Sequence, residues 1–279
     1  MEFLPDTLVI SSGAEKGLAE LGALEVPYQR GLLAQVKNIV GCSVGAILGL
    51  LLAIGLTPPQ IALLTLQWKL FEQLPQVNRL NQDYALLDHS TVMDLLTQIT
   101  LAQLRYLPTF AQLYQEKKIR LLVASVNLAT SPPSLVFFDY LSHPDLSVLE
   151  AVKRSISIQP LFPPVRTEQE VWVDGALLDP FPLNVLDDGT HTILGVHTEI
   201  VSGQPTSFIE HMSFITSILV DRLKKLIIEQ ASEKVRVLTI PLSNTTLSDC
   251  LEQRLFLYYQ GYFTGLQFCT GLKEKVKED

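Results

Sequence analysis

The longest apolar run in the chain, Ala46 to Leu56, constrains the fold more than any other stretch. A helix that is apolar all round has no face to give to water, so this one should be buried. It is shorter than the roughly 18 to 20 residues that cross a bilayer, and Thr57-Pro58-Pro59 stops it. A short β-branched strand, Asn38 to Val40, precedes it, and the turn between them is Gly41-Cys42-Ser43-Val44-Gly45.

The rest of the chain repeats this alternation. Thr7 to Ile10 reads as a buried strand running into Ser11-Ser12-Gly13, and Leu18 to Tyr28 has helical spacing. Helices are expected over Pro58–Leu74, Ser90–Leu104 and Thr109–Gln115, with Thr91 and Asp94 as the start signal of the second. Ile119–Val126 and Ser134–Phe138 read as a strand pair, Asp145–Ser157 as a helix, and Val171–Val173 as a strand ending at Asp174-Gly175. Thr192–His197 and Lys234–Ile240 are further strands, and Thr206–Gln230 and Leu247–Leu272 are long helical patterns. This order predicts an α/β fold, a three-layer sandwich with a mostly parallel central sheet, over residues 1–279 as a single domain.

Composition narrows the partners. Hydrophobic residues make up 47% of the chain against 18% charged, which suits a large core. A formal net charge of -8 argues against nucleic acid as a partner and against simple attraction to anionic membranes. Lys224 and Lys225 are expected on a solvated face. Three cysteines, Cys42, Cys250 and Cys269, do not make a disulfide framework. The first residues lack a basic region followed by an apolar stretch, so no secretory signal is read there, and a cytoplasmic chain with peripheral membrane contact is expected.

Gly41 to Gly45 fits G-x-S-x-G in the strand-turn-helix setting that gives the pattern meaning. A sharp turn there exposes the Ser43 hydroxyl at the end of the sheet, and the helix beyond offers N–H groups and a positive dipole end. The competing role for Ser43 is an ordinary helix N-cap. A serine nucleophile needs a proton acceptor. Asp174 stands at the C-terminal end of an apolar strand, where open α/β sheets place their sites. Partial desolvation there raises its basicity; its competing role is an Asx-turn. His191 and His197 follow Asp174 and are weaker candidates for a base.

Four blocks in order resemble the patatin-like phospholipase family over roughly residues 7–197. Leu8 to Gly17 resembles its first strand and Gly-rich oxyanion loop, and Gly41 to Gly45 its nucleophile elbow. Ala151 to Ser155, continuing to Gln159–Val165, resembles the segment before the family's aspartate, and Asp174 to Pro182 its Asp-Gly-Gly/Ala block. The resemblance implies a Ser43–Asp174 dyad and an oxyanion loop at Ser12, Gly13 and Ala14. It also implies motif glycines at Gly17, Gly41, Gly45 and Gly175, acyl-ester lipid substrates such as phospholipids, and no metal or other cofactor. The loop departs from the family's Gly-Gly-Gly-x-Arg/Lys-Gly: here it is Ser12-Gly13-Ala14-Glu15-Lys16-Gly17. A position there that needs positive φ would strain a non-glycine residue by about 1 to 3 kcal/mol. Two other readings follow: a weak or inactive patatin fold that binds lipid or protein, and a carboxylesterase for small soluble esters. Trp68, Leu70, Phe71 and Leu74 are expected mainly in the core, with a lid as the alternative, and the aromatic C-terminal pattern from Phe256 to Phe268 is expected to pack inward.

Overall fold

The computed structural model describes residues 3–68, 84–202, 208–243 and 250–275. Its centre is a sheet of eight strands. Five of these, β1 (Thr7–Ile10), β2 (Asn38–Cys42), β3 (Arg120–Asn127), β7 (Ile193–Ser202) and β8 (Val235–Ser243), are parallel, in the spatial order β3-β2-β1-β7-β8. The short strands β4 (Ser134–Phe138), β5 (Val165–Arg166) and β6 (Val171–Asp174) extend it with antiparallel pairings. The mostly parallel sheet expected from the sequence is therefore the one observed, including the β3–β4 pair.

Alternate residues of each parallel strand enter different cores, as the two-residue period of a strand requires. Leu8, Ile10, Ile39, Leu121, Val123, Leu194, Val196, Leu238 and Ile240 join the larger core on one face. Val9, Val40, Leu122, Ile193 and Val235 join a smaller core on the other. Burial on both faces explains why these strands read as unbroken apolar runs.

The larger core is covered by α1 (Gly17–Gln29), α2 (Val44–Ala53), α3 (Pro58–Leu66), α4 (Ser90–Leu104), α5 (Phe110–Lys117) and α6 (Val148–Ser155). The smaller core is closed by Ile227 and Ile228 of α7 (Phe208–Glu229) and by Phe181, Leu183 and Leu186. Helix α8 (Leu251–Lys275) returns to the first face and lies against α1. That contact is set by small residues. A Cβ on Gly261 would stand 1.8 Å from the Ala19 carbonyl oxygen, one on Gly265 2.4 Å from that of Ala23, and one on Gly22 2.0 Å from that of Tyr258. Gly22, Gly261 and Gly265 thus let the two helices approach closely.

Three expectations need correction. Helix α4 begins at Ser90, so Thr91 and Asp94 fall inside it, and Asp88 Oδ1 instead accepts the Ser90 N–H at 2.8 Å. The aromatic C-terminal pattern is not all core. Tyr258 and Phe268 pack inward, but Phe256, Tyr259 and Phe263 are more than half exposed, because α8 buries only the stripe facing α1. Lys224 of α7 is buried, while Lys225 is exposed and pairs with Glu199 at 2.5 Å. Leu70, Phe71 and Leu74 lie outside the described residues; Trp68 packs against the larger core. Among the described residues no helix is long and apolar enough to cross a membrane.

Candidate active site

The turn between β2 and α2 places Ser43 at φ 57 and ψ -126, a backbone conformation that only glycine adopts without strain. Its flanking glycines are sterically required. A Cβ on Gly41 would lie 2.3 Å from the Gly45 carbonyl oxygen, and one on Gly45 2.3 Å from that of Ile10. Ser43 occupies the N-cap position of α2, yet its hydroxyl makes no capping bond. The Ser43 N–H donates to Ser155 Oγ of α6 at 3.0 Å.

Strand register brings Asp174 to the same place. Cys42, the last residue of β2, pairs with Ala124 of β3, and Asp174, the last residue of β6, pairs with Ser125. β4 occupies the far edge of β3 along its pairing with both Ala124 and Ser125. β2 and β6 therefore share the near edge and meet end to end, β2 running parallel to β3 and β6 antiparallel. Gly175 then turns under β3, where a Cβ would lie 2.7 Å from the Ala124 carbonyl oxygen.

The Asp174 carboxylate is 1% exposed, and its two oxygens differ. Oδ1 accepts the Ala176 N–H at 2.8 Å, the Asx-turn that the sequence offered as the alternative role, and lies 3.8 Å from Cys42 Sγ. Oδ2 is buried with no partner in full hydrogen-bond geometry. Burial pushes the carboxyl up to about 7, and the Ser43 hydroxyl, followed by the Ala176 N–H and Cys42, holds it down. A looser serine contact of this kind is normal in an unliganded site. Burial also raises the Cys42 thiol well above its usual value, with help from Asp174, so it remains protonated.

The loop after β1 lies beside Ser43. The Ser12 N–H donates to the Pro180 carbonyl at 2.8 Å and is spent. Gly13 and Ala14 follow, and Ala14 sits at φ 50, the strained left-handed conformation that its replacement of glycine makes costly. Gly17 touches the start of α2: a Cβ there would lie 2.7 Å from Val44 Cγ2. Ser43 and Ala14 open onto an apolar cleft of about 120 Å³ that is continuous with solvent. Leu18, Leu21, Ile47, Leu48, Ile156, Leu161, Phe162 and Trp68 line it. Arg254 closes one end by donating to the Thr65 and Trp68 carbonyls.

The patatin-like phospholipase family model matches residues 8–187, well over half of the chain. The chain belongs to the patatin-like phospholipase family. It is 27% identical over 187 residues to the probable lipid hydrolase 463L of Invertebrate iridescent virus 6, covering 64% of this chain and 62% of that protein. Its fold is that of VipD from Legionella pneumophila, with a TM-score of 0.57 and 17% identity over 94% of this chain and 66% of that one. Full-length ExoU from Pseudomonas aeruginosa, solved with SpcU, matches with a TM-score of 0.53 and 16% identity over 94% of this chain and 52% of that one. This family member thus spans less than two thirds of the length of each of these relatives.

In this patatin-like site the two histidines considered as bases are engaged elsewhere. His191 Nδ1 lies 3.0 Å from Asp6 Oδ1, and His197 Nε2 lies 2.9 Å from Thr239 Oγ1. Burial, then the nearby Lys224 charge, lowers His197 to about 3. Three residues at the site escaped the sequence reading: Ser155, Glu20 and Lys224. Lys224 carried a usable signal. It falls four residues after Val220 and three and four before Ile227 and Ile228, on the apolar stripe of its helix.

Proposed function

We propose that this chain is a lipid acyl hydrolase that cleaves fatty-acyl esters through an acyl-Ser43 intermediate. The observation that carries the reading is the meeting of a strained Ser43 with a buried Asp174 on which its hydroxyl acts, at the mouth of an apolar cleft. An acyl chain in the cleft sets its ester carbonyl carbon against Ser43 Oγ. Asp174 accepts the serine proton as the Oγ–C bond forms. The carbonyl oxygen becomes an oxyanion held by the Gly13 and Ala14 N–H groups, since the Ser12 N–H is already engaged. Protonated Asp174 returns the proton to the leaving alkoxide as the C–O bond breaks. Water then attacks the acyl-serine as Asp174 takes its proton, Asp174 returns that proton to Ser43 Oγ as the Ser43–acyl bond breaks, and free fatty acid leaves.

The membership of the family, the lipid-hydrolase name of the viral relative and the apolar lining support a lipid ester over a small soluble one. Phospholipids are the first class to assay, and the cleft asks for no metal in this scheme.

The test is labelling with a fluorophosphonate, alone and with phospholipid vesicles, followed by peptide mapping. Label on Ser43 together with fatty-acid release from a phospholipid is expected, and both vanish in Ser43→Ala. A folded wild type that stays unlabelled under both conditions replaces this reading with that of a non-catalytic lipid-binding fold.

A further inference from the structure

Lys224 is 2% exposed, although its neighbours Leu223 and Lys225 face solvent. Its ammonium donates to the Ser12 carbonyl at 2.7 Å and reaches the Thr198 carbonyl at 3.5 Å. Glu20 of α1 is fully buried nearby, and its Oε1 accepts the Ser11 hydroxyl at 2.7 Å. Burial pushes Lys224 down and Glu20 up from their usual values, and the attraction between them opposes both shifts. Asp221 and Lys16 are the other charges that act on Lys224.

A buried ammonium is expensive, so its placement needs a reason beyond packing. The Ser12 carbonyl and the Gly13 N–H belong to one planar trans peptide and point in opposite directions. Whatever holds the carbonyl therefore also sets the direction of the Gly13 N–H, one residue before Ala14, which lines the cleft together with Ser43. The preceding peptide is pinned as well, by the Ser12 N–H on Pro180. Both peptide units around Ser12 are thus fixed from outside the loop.

We propose that Lys224 is a positioning residue for ester hydrolysis, holding the Ser12 carbonyl so that the Gly13 N–H is aimed at the oxyanion. This rests on the acyl-hydrolase reading above. Glu20 supplies the counter-charge that lets the ammonium stay buried.

The experiment uses the full chain and the paired substitution Glu20→Gln with Lys224→Met, which removes both charges and leaves no buried ion alone. Acylation by a p-nitrophenyl ester is followed by stopped flow, with active sites counted by fluorophosphonate titration. The acylation rate per titrated site is expected to fall about 100-fold, the low end of the loss for one oxyanion donor. KM stays unchanged. Affinity for a trifluoromethyl ketone, whose serine adduct carries the oxyanion, falls in proportion. Should that pair not fold, Glu20→Gln with Lys224→Gln, whose shorter amide does not reach Ser12 and which again leaves no buried ion alone, carries the same expectation. A purely structural role would lower the number of titrated sites and leave the rate per site at the wild-type level, which overturns the clamp while wild-type activity preserves the hydrolase reading. A wild type that neither labels nor turns over removes both.

Discussion

The N–H of Ser43 donates to the hydroxyl of Ser155 at 3.0 Å, tying the candidate nucleophile to the last residue of α6. Ser155 is fully buried, and α6 is also the element that leads, through Ser157, to the Asp174 N–H at 3.0 Å. One segment thus holds the backbones of both residues of the proposed dyad. Ser155→Ala leaves the Ser43 N–H without a partner, which costs about 1 to 3 kcal/mol. The urea midpoint is expected to fall accordingly, and kcat to fall with KM held, because the serine turn loosens without any change in the cleft. A variant with wild-type kcat would show that the turn is held by its glycines alone.

Asp174 yields a prediction that links pH, activity and stability. Its folded pKa of about 7 lies above the ordinary carboxylate value of 3.8. The base must be ionised to accept a proton, so kcat/KM is expected to rise through pH 7. The stability sign is opposite. Between the unfolded and folded values the native state binds more protons, so the group lowers stability as pH rises from about 4 to about 7, and the full penalty remains above that. Asp174→Asn is therefore expected to abolish turnover and to raise the thermal midpoint, more at pH 8 than at pH 4. Asp179, raised by burial to about 6, acts in an overlapping window but is present in both proteins and cancels in the comparison.

The sequence showed the sheet and pointed to both residues of the proposed dyad because each rests on local signals. Asn38–Val40 and Val171–Val173 are short stretches dominated by strand-forming residues, and Gly41, Gly45 and Gly175 stand where backbone approaches backbone. What it could not show was non-local. The end-to-end meeting of β2 and β6 along β3 depends on register, and the engagement of the Ser12 N–H by Pro180 joins residues far apart in the chain. Lys224 was misread because a charge beside Lys225 was treated as surface, when its helical position, set against Val220 and Ile227, pointed inward.

The glycines of the serine turn test whether the turn's shape comes from sterics. Gly45→Ala places a Cβ 2.3 Å from the Ile10 carbonyl oxygen, in backbone of the central sheet that cannot move aside. Gly189→Ala meets nothing within 4 Å and is strained only by its φ of +79. Gly189→Ala is expected to cost about 1 kcal/mol, as positive φ does for alanine, and Gly45→Ala to cost clearly more or to prevent folding. Denaturant titration of the two separates collision from conformational strain; equal losses would mean that β1 yields to the new methyl group.

Ala14 provides the converse case. At φ 50 it carries the left-handed strain that glycine avoids, at the position where the related family has glycine. Ala14→Gly removes about 1 kcal/mol of that strain but returns conformational freedom to the unfolded chain, and the two effects oppose each other. The net change in stability is expected to be small. Activity is more informative, because the Ala14 N–H is one of the two donors proposed for the oxyanion. If Lys224 and Pro180 already set the loop, Ala14→Gly should leave the acylation rate close to wild type, since the Gly13 donor is held at Ser12 whatever residue follows it. A gain approaching the 100-fold worth of one oxyanion donor would instead mean that alanine had displaced the N–H, and that this loop is a weakened form of its glycine-rich parent.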